Sequence, residues 1–99
     1  MAVLNLINLK IRDTDTILFE GIVDRISSFN EVGPFDIYPM HANFISIISK
    51  SISIYKYHKL INTFIIDKAV MKNMKDKCII FIGIESLLVK EETEVQKEL

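Results

Sequence analysis

Apolar side chains recur at every second position along most of this chain, in short runs separated by gaps of hairpin size. Leu9 and Ile11 alternate with Lys10 and Arg12, and Phe35 and Ile37 alternate with Asp36 and Tyr38. A period of two places alternate residues on opposite faces of a strand, so one face is buried and the other is wet. No stretch before residue 85 sustains a helical period. Isoleucine accounts for 18 of the 99 residues, and β-branched side chains pack well on a pleated surface. Further runs cover Ile17–Ile26, Phe44–Ile48, Ile52–Tyr57, Leu60–Ile66, Val70–Met74 and Cys78–Ile82. His58-Lys59 and Lys75-Asp76-Lys77 have the length of hairpin loops, and Asp13-Thr14-Asp15 forms a turn cluster. Gly21, inside a run, predicts a bulge or a close backbone approach. Asn30–Pro34 reads as a loop, and Pro39 ends the strand before it. The pattern predicts an all-β, two-sheet β-sandwich of about ten short strands. It occupies residues 1–85, and residues 86–99 form a short helical or frayed tail capped by Ser86.

Several function classes drop out at this point. A lone Cys78 makes no internal disulfide, and one Cys with two His does not make a four-ligand zinc site. The N-terminus has no basic segment followed by an apolar core, so it does not read as a signal peptide. The longest apolar run, Cys78–Ile84, is far shorter than the roughly 20 residues of a spanning helix. Three glycines build no phosphate-cradling loop, and no nucleotide-binding, metalloprotease or hydrolase motif occurs. Asp13 and Asp15 suit a turn better than a metal. Cys78 reads as a small core hydrophobe, and His41 as a loop residue without a proton-transfer partner. No catalytic, metal or cofactor-binding residue is assigned, and the chain is expected not to be an enzyme.

Charge is segmented. Residues 1–49 sum to -3, residues 50–77 to +5 and residues 78–99 to -3, giving the net -1 of the chain. The lysine-rich middle, with Tyr55 and Tyr57 interleaved, permits a second reading as a small β-barrel that binds nucleic acid. Arginine, the better stacking and phosphate-forking residue, is missing there. A solvated lysine face is the plainer account.

The blocks Leu18-Phe19-Glu20-Gly21-Ile22-Val23 and Gly33-Pro34-Phe35-Asp36-Ile37-Tyr38-Pro39-Met40-His41-Ala42 resemble the N-terminal β-sandwich domain of the epsilon subunit of F-type ATP synthases. The family pattern is roughly L-F-x-G-x-V followed by G-E-x-G-I-x-P-G-H-A-P, and the spacing between blocks matches without a gap. The resemblance spans about residues 5–85. Its specific part is Phe19 and Gly21 with Tyr38-Pro39-x-His41-Ala42. Pro34 stands where the family has an acidic residue, Asp36 and Met40 where it has glycines, Asn43 where it has proline, and Lys68-Ala69 where it has a glycine pair. The family's C-terminal helical hairpin, with the ATP-binding motif some members carry, has no counterpart within these residues.

The resemblance implies a non-catalytic central-stalk subunit of a rotary ATPase. Such a subunit packs on a gamma-like shaft, meets the alpha and beta catalytic subunits indirectly, and can touch a membrane c-ring. It implies a peripheral place on the cytoplasmic side of a cell membrane or the matrix side of an organelle membrane. The turn Tyr38-Pro39-Met40-His41-Ala42-Asn43 would contact the shaft. The segment Asn30-Glu31-Val32-Gly33-Pro34-Phe35-Asp36 would face the ring, altered by the loss of the acidic residue and the glycine. An apolar face for a partner is expected around Phe44, Ile45, Ile48 and Tyr38.

Overall fold

A computed structural model describes residues 6–83, so the tail from 86 lies outside the described residues. Seven strands follow one another: β1 Ile7–Arg12, β2 Ile17–Val23, β3 Arg25–Asn30, β4 Gly33–Ile37, β5 His41–Lys56, β6 Lys59–Lys75 and β7 Lys77–Ile82. They hydrogen-bond into one mixed sheet in the order β2-β1-β7-β6-β5-β3-β4. Every pair is antiparallel except β1 with β7. The all-β class is as expected. The strand count is seven rather than about ten: four predicted short strands fuse into the 16-residue β5 and the 17-residue β6, whereas the predicted run Ile17–Ile26 breaks at Asp24 into β2 and β3.

The fused ribbon makes one sheet into two layers. The first half of β5 pairs with the second half of β6, which carries β7, β1 and β2. The second half of β5 pairs with the first half of β6 on one side and with β3, which carries β4, on the other. Between the halves the register slips: Ser49 faces Lys68, Lys50 faces Ile66, and Asp67 is the unpaired extra residue. Lys50 takes a left-handed φ of 71° there. A bulge of this kind bends a strand and raises its local twist. It also switches the inward phase of β6. Phe64 and Ile66 point inward before Asp67, whereas Ala69, Met71 and Asn73 do so after it. The apolar alternation of residues 60–66 and 69–74 therefore appears as two strands in the sequence, although the backbone never leaves the sheet.

Ile7, Leu9 and Ile11 of β1, Ile26 of β3, Ile48, Ile52 and Ile54 of β5, Met71 of β6, and Cys78 and Ile80 of β7 are fully buried in one cluster. A flat single sheet leaves one face wet and cannot bury residues of every strand so completely. Closure of the two layers supplies the missing cover, and Phe35 of one layer meets Phe44 of the other edge-on at 6.2 Å. Gly21 sits in a regular stretch of β2 rather than a bulge. The Phe19 ring lies over it, and a Cβ there would stand 3.3 Å from the ring. That is the close approach which the Phe19 and Gly21 pair serves.

Candidate interaction surface

The turn between β4 and β5 carries the chain from one layer to the other. Pro39 fixes its φ at the second turn position, and Met40 takes a left-handed φ of 67° at the third. The His41 amide closes the turn by donating to the Tyr38 carbonyl at 3.2 Å. Ala42 and Asn43 then form a bulge, because His41 pairs with Lys75 and Phe44 with Asn73. Asn73 holds that bulge from the buried side: its Nδ2 donates to the carbonyls of His41 at 3.3 Å and Ala42 at 3.1 Å. The Lys75 amide donates to Asn43 Oδ1 at 3.0 Å. The His41 ring leans edge-on to Phe44 at 5.3 Å. Tyr38, Met40, Ala42 and Asn43 are exposed, and Pro39 and His41 are half-buried. The predicted shaft-facing residues thus form one contiguous, firmly held ledge. The anchor, Asn73, escaped the sequence reading. Its signal was a polar residue on the inward phase of Ala69 and Met71.

The predicted ring-facing segment is a hairpin rather than a loop. Asn30 ends β3, Gly33 opens β4, and Glu31 and Val32 alone make the turn. Asn30 Oδ1 accepts from the Val32 and Gly33 amides at 2.9 and 3.2 Å. Gly33 has a φ of 140°, which suits glycine. Val32 is 92% exposed at the tip. Phe35 faces the core, and the Ser27 hydroxyl donates to the Asp36 carboxylate on the outer face. Asp36 lies in a regular strand and shows no left-handed φ, so its replacement of a glycine leaves no strain. The hairpin tip and the Tyr38–Asn43 ledge lie at opposite ends of β4, and the fold does not bring them together.

The apolar face differs from the expected one in a single residue group. Ile48 is fully buried and Phe44 packs on the core, whereas Ile45 is 68% and Ile47 52% exposed. The cross-strand register aligns Ile45, Lys72, Ile79, Lys10 and Glu20 in one outer row. Ile47, Val70, Phe81 and Arg12 make the next. Lys10 and Glu20 pair at 3.5 Å. The outer face of the other layer bears hydroxyls, with Ser27 on Asp36 and Ser53 beside Thr63, and the 83% exposed Ile65 in phase with Thr63.

The lysines of residues 50–77 do not converge. Lys50 stands over Phe29 at 5.1 Å and Lys56 over Tyr57 at 5.7 Å in one layer, while Lys72 belongs to the outer face of the other. Tyr55 is already covered by Arg25 at 3.7 Å, and Tyr57 sits in the β5–β6 turn with a left-handed φ of 53°. A continuous basic groove with free aromatic platforms, which single-stranded nucleic acid requires, is not formed by these groups. The turn itself falls on Tyr57 and His58, one residue earlier than the predicted His58-Lys59.

Two other groups have settled roles. Asp13 Oδ1 accepts from the Asp15 and Thr16 amides at 2.8 and 2.7 Å, which makes it a turn-former. These backbone bonds, Thr16 foremost, lower its pKa. Cys78 is buried, and burial pushes its thiol up to about 12, so it stays a protonated core residue. No helix among the described residues is long and apolar enough to cross a membrane.

No protein-family model matches the sequence, and no curated protein does. The fold does have solved counterparts. A chain of the Euglena gracilis mitochondrial ATP synthase OSCP/F1/c-ring assembly superposes with a TM-score of 0.71 at 13% identity, over 83% of this chain and 53% of that one. A chain of the Tetrahymena thermophila mitochondrial ATP synthase central stalk and c-ring superposes with a TM-score of 0.62 at 13% identity, over 77% of this chain and 62% of that one. The protein thus spans 53% and 62% of those chains, and it shares its all-β fold with chains of these two mitochondrial ATP synthase assemblies.

Proposed function

We propose that the protein is a non-catalytic, epsilon-like rotor subunit of an F-type or F-type-like rotary ATPase. Residues 1–85 make its sandwich domain, and it is peripheral to the membrane. The observation that carries this reading is the fold shared with chains of two ATP synthase assemblies, taken with the Phe19–Gly21 contact and the Tyr38–Asn43 ledge. A close-packed sandwich resists shear and so suits a part that transmits rotation. The exposed Ile45 and Ile47 face and the ledge provide separate surfaces for a gamma-like shaft and its neighbours. The Glu31–Val32 hairpin tip, at the opposite end of β4, is the candidate for a c-ring contact.

Exchanging Met40 and His41 together for alanine tests the shaft contact. If both side chains are buried by the partner, association with a gamma-like subunit weakens by about 1–3 kcal/mol. Undiminished co-purification of the folded double variant removes the ledge from the interface.

A further inference from the structure

Beside the ledge, Asp24, Arg25, Tyr38, Pro39, Tyr55 and His58 line a small open pocket. Arg25 is its centre. The guanidinium lies 3.7 Å above the Tyr55 ring, and its Nε is buried with no hydrogen-bond partner. A buried donor left unpaired is costly, of the order of 1–3 kcal/mol, and is rare in folded proteins. Among the described residues no carboxylate makes an ion pair with Arg25. The nearest acid in sequence, Asp24, is committed elsewhere: its Oδ2 accepts from the Tyr57 amide at 2.6 Å and ties down the β5–β6 turn. Hydrogen bonding to Tyr38, ahead of the other influences, raises the pKa of Arg25 and so favours its charged form. Left-handed backbone at Tyr57 and His58 places His58 at the rim.

We propose that this pocket receives a carboxylate, the side chain of an aspartate or glutamate on the protein partner that covers the Tyr38–Asn43 ledge. The inference rests on the rotor-subunit reading and adds the chemistry of the contact. A guanidinium stacked on a ring through its face, with Nε turned inward, leaves its terminal Nη pair for a planar acceptor, and a carboxylate matches that fork. The charge balance favours one negative charge over two. Arg25 is the one always-charged cation in the pocket, and Asp24 at its wall opposes a dianion such as phosphate. Arginine flanked by tyrosines is also the composition of interface anchors.

The test uses the full-length tagged chain expressed in its native cell, purified with its partners at increasing salt. Wild type is compared with Arg25→Gln, Arg25→Lys and Tyr38→Phe. The inference expects Arg25→Gln to recover about tenfold less gamma-like partner at low salt and to flatten the salt dependence. Arg25→Lys should keep part of the salt dependence but lose most of the affinity, since it retains charge without the fork. A purely structural role for Arg25 would lower the melting temperature and leave the salt dependence of recovery unchanged, and that outcome overturns the inference. If Arg25→Gln does not fold, Tyr38→Phe decides, with a several-fold loss expected and full recovery contradicting. Should the wild type recover no ATPase subunits at all, the rotor reading fails separately. The pocket is then tested by titrating the ¹⁵N-labelled full chain with N-acetylglutamate amide and, in parallel, inorganic phosphate. Movement of the Arg25 Nε–H signal by the carboxylate supports the pocket. No movement, or movement by phosphate alone, overturns it.

Discussion

Met40 is a methionine in a position built for glycine. It takes a left-handed φ of 67° at the third position of a turn whose second residue is Pro39. A side chain there costs about 1–2 kcal/mol. Glycine would remove that strain but lose roughly 0.4–1 kcal/mol through the greater freedom of the unfolded chain. The difference favours glycine, so Met40→Gly should stabilise the fold by up to about 1.6 kcal/mol and raise Tm by several degrees. A thermal melt checks this, and a lower Tm would show that Met40 makes packing contacts that outweigh the strain. Asp13 gives a pH-dependent counterpart. Its pKa is lowered in the folded state by the Thr16 and Asp15 amides, so its contribution exists above the ordinary value of 3.8 and fades as pH falls through the lowered folded value. Asp13→Ala should therefore lower the urea midpoint at pH 7 relative to wild type, and the gap should narrow in strong acid. A gap independent of pH would assign the effect to something other than the carboxylate charge.

At the scale of elements, the β5–β6 ribbon decides the architecture, and its one-residue slip at Asp67 decides the ribbon. Deleting Asp67 would leave Lys50 opposite Ile66 and Ser49 opposite Lys68 in an unbroken ladder, keeping Ala69, Met71 and Asn73 inward but removing the bulge that bends the ribbon. A straightened ribbon no longer folds one layer over the other, and the cluster they share loses its cover. The deletion should abolish the cooperative unfolding transition in circular dichroism, whereas removing one residue from the exposed Asp13–Thr16 turn should leave one. A folded, fully cooperative deletion variant would show that the slip is incidental. The same ribbon explains how much was legible beforehand. Period-two patterning located most strands, and the inward faces at Leu9, Ile11, Phe35 and Ile37. It split β5 and β6 because a bulge breaks the alternation in the same way a loop does, and Lys50, left-handed here, carries no glycine to mark it. The ledge was legible through Pro39 and its neighbours. Asn73 and Arg25 were not, since both act through partners distant in sequence, the His41 and Ala42 carbonyls and the Tyr55 ring.

On the whole molecule, both outer faces mix apolar and polar side chains. One is dressed by Ser27, Ser53 and Thr63 with the exposed Ile65 beside them, and the other by Ile45, Ile47, Val70, Ile79 and Phe81 with Lys72, Lys10 and Arg12 among them. An edge strand with an unpaired backbone invites further pairing. Pro34 and Asp36 blunt that tendency on β4, while β2 exposes Ile17, Leu18 and Ile22. Surfaces of this kind fit a subunit that works inside an assembly. The decisive measurement is purification of the tagged chain from its native cell with identification of what accompanies it. The account predicts a gamma-like coiled coil and catalytic ATPase subunits in fixed proportion, lost when Ile45 and Ile47 are both changed to glutamate. Recovery of the chain alone, or bound to nucleic acid, would contradict it.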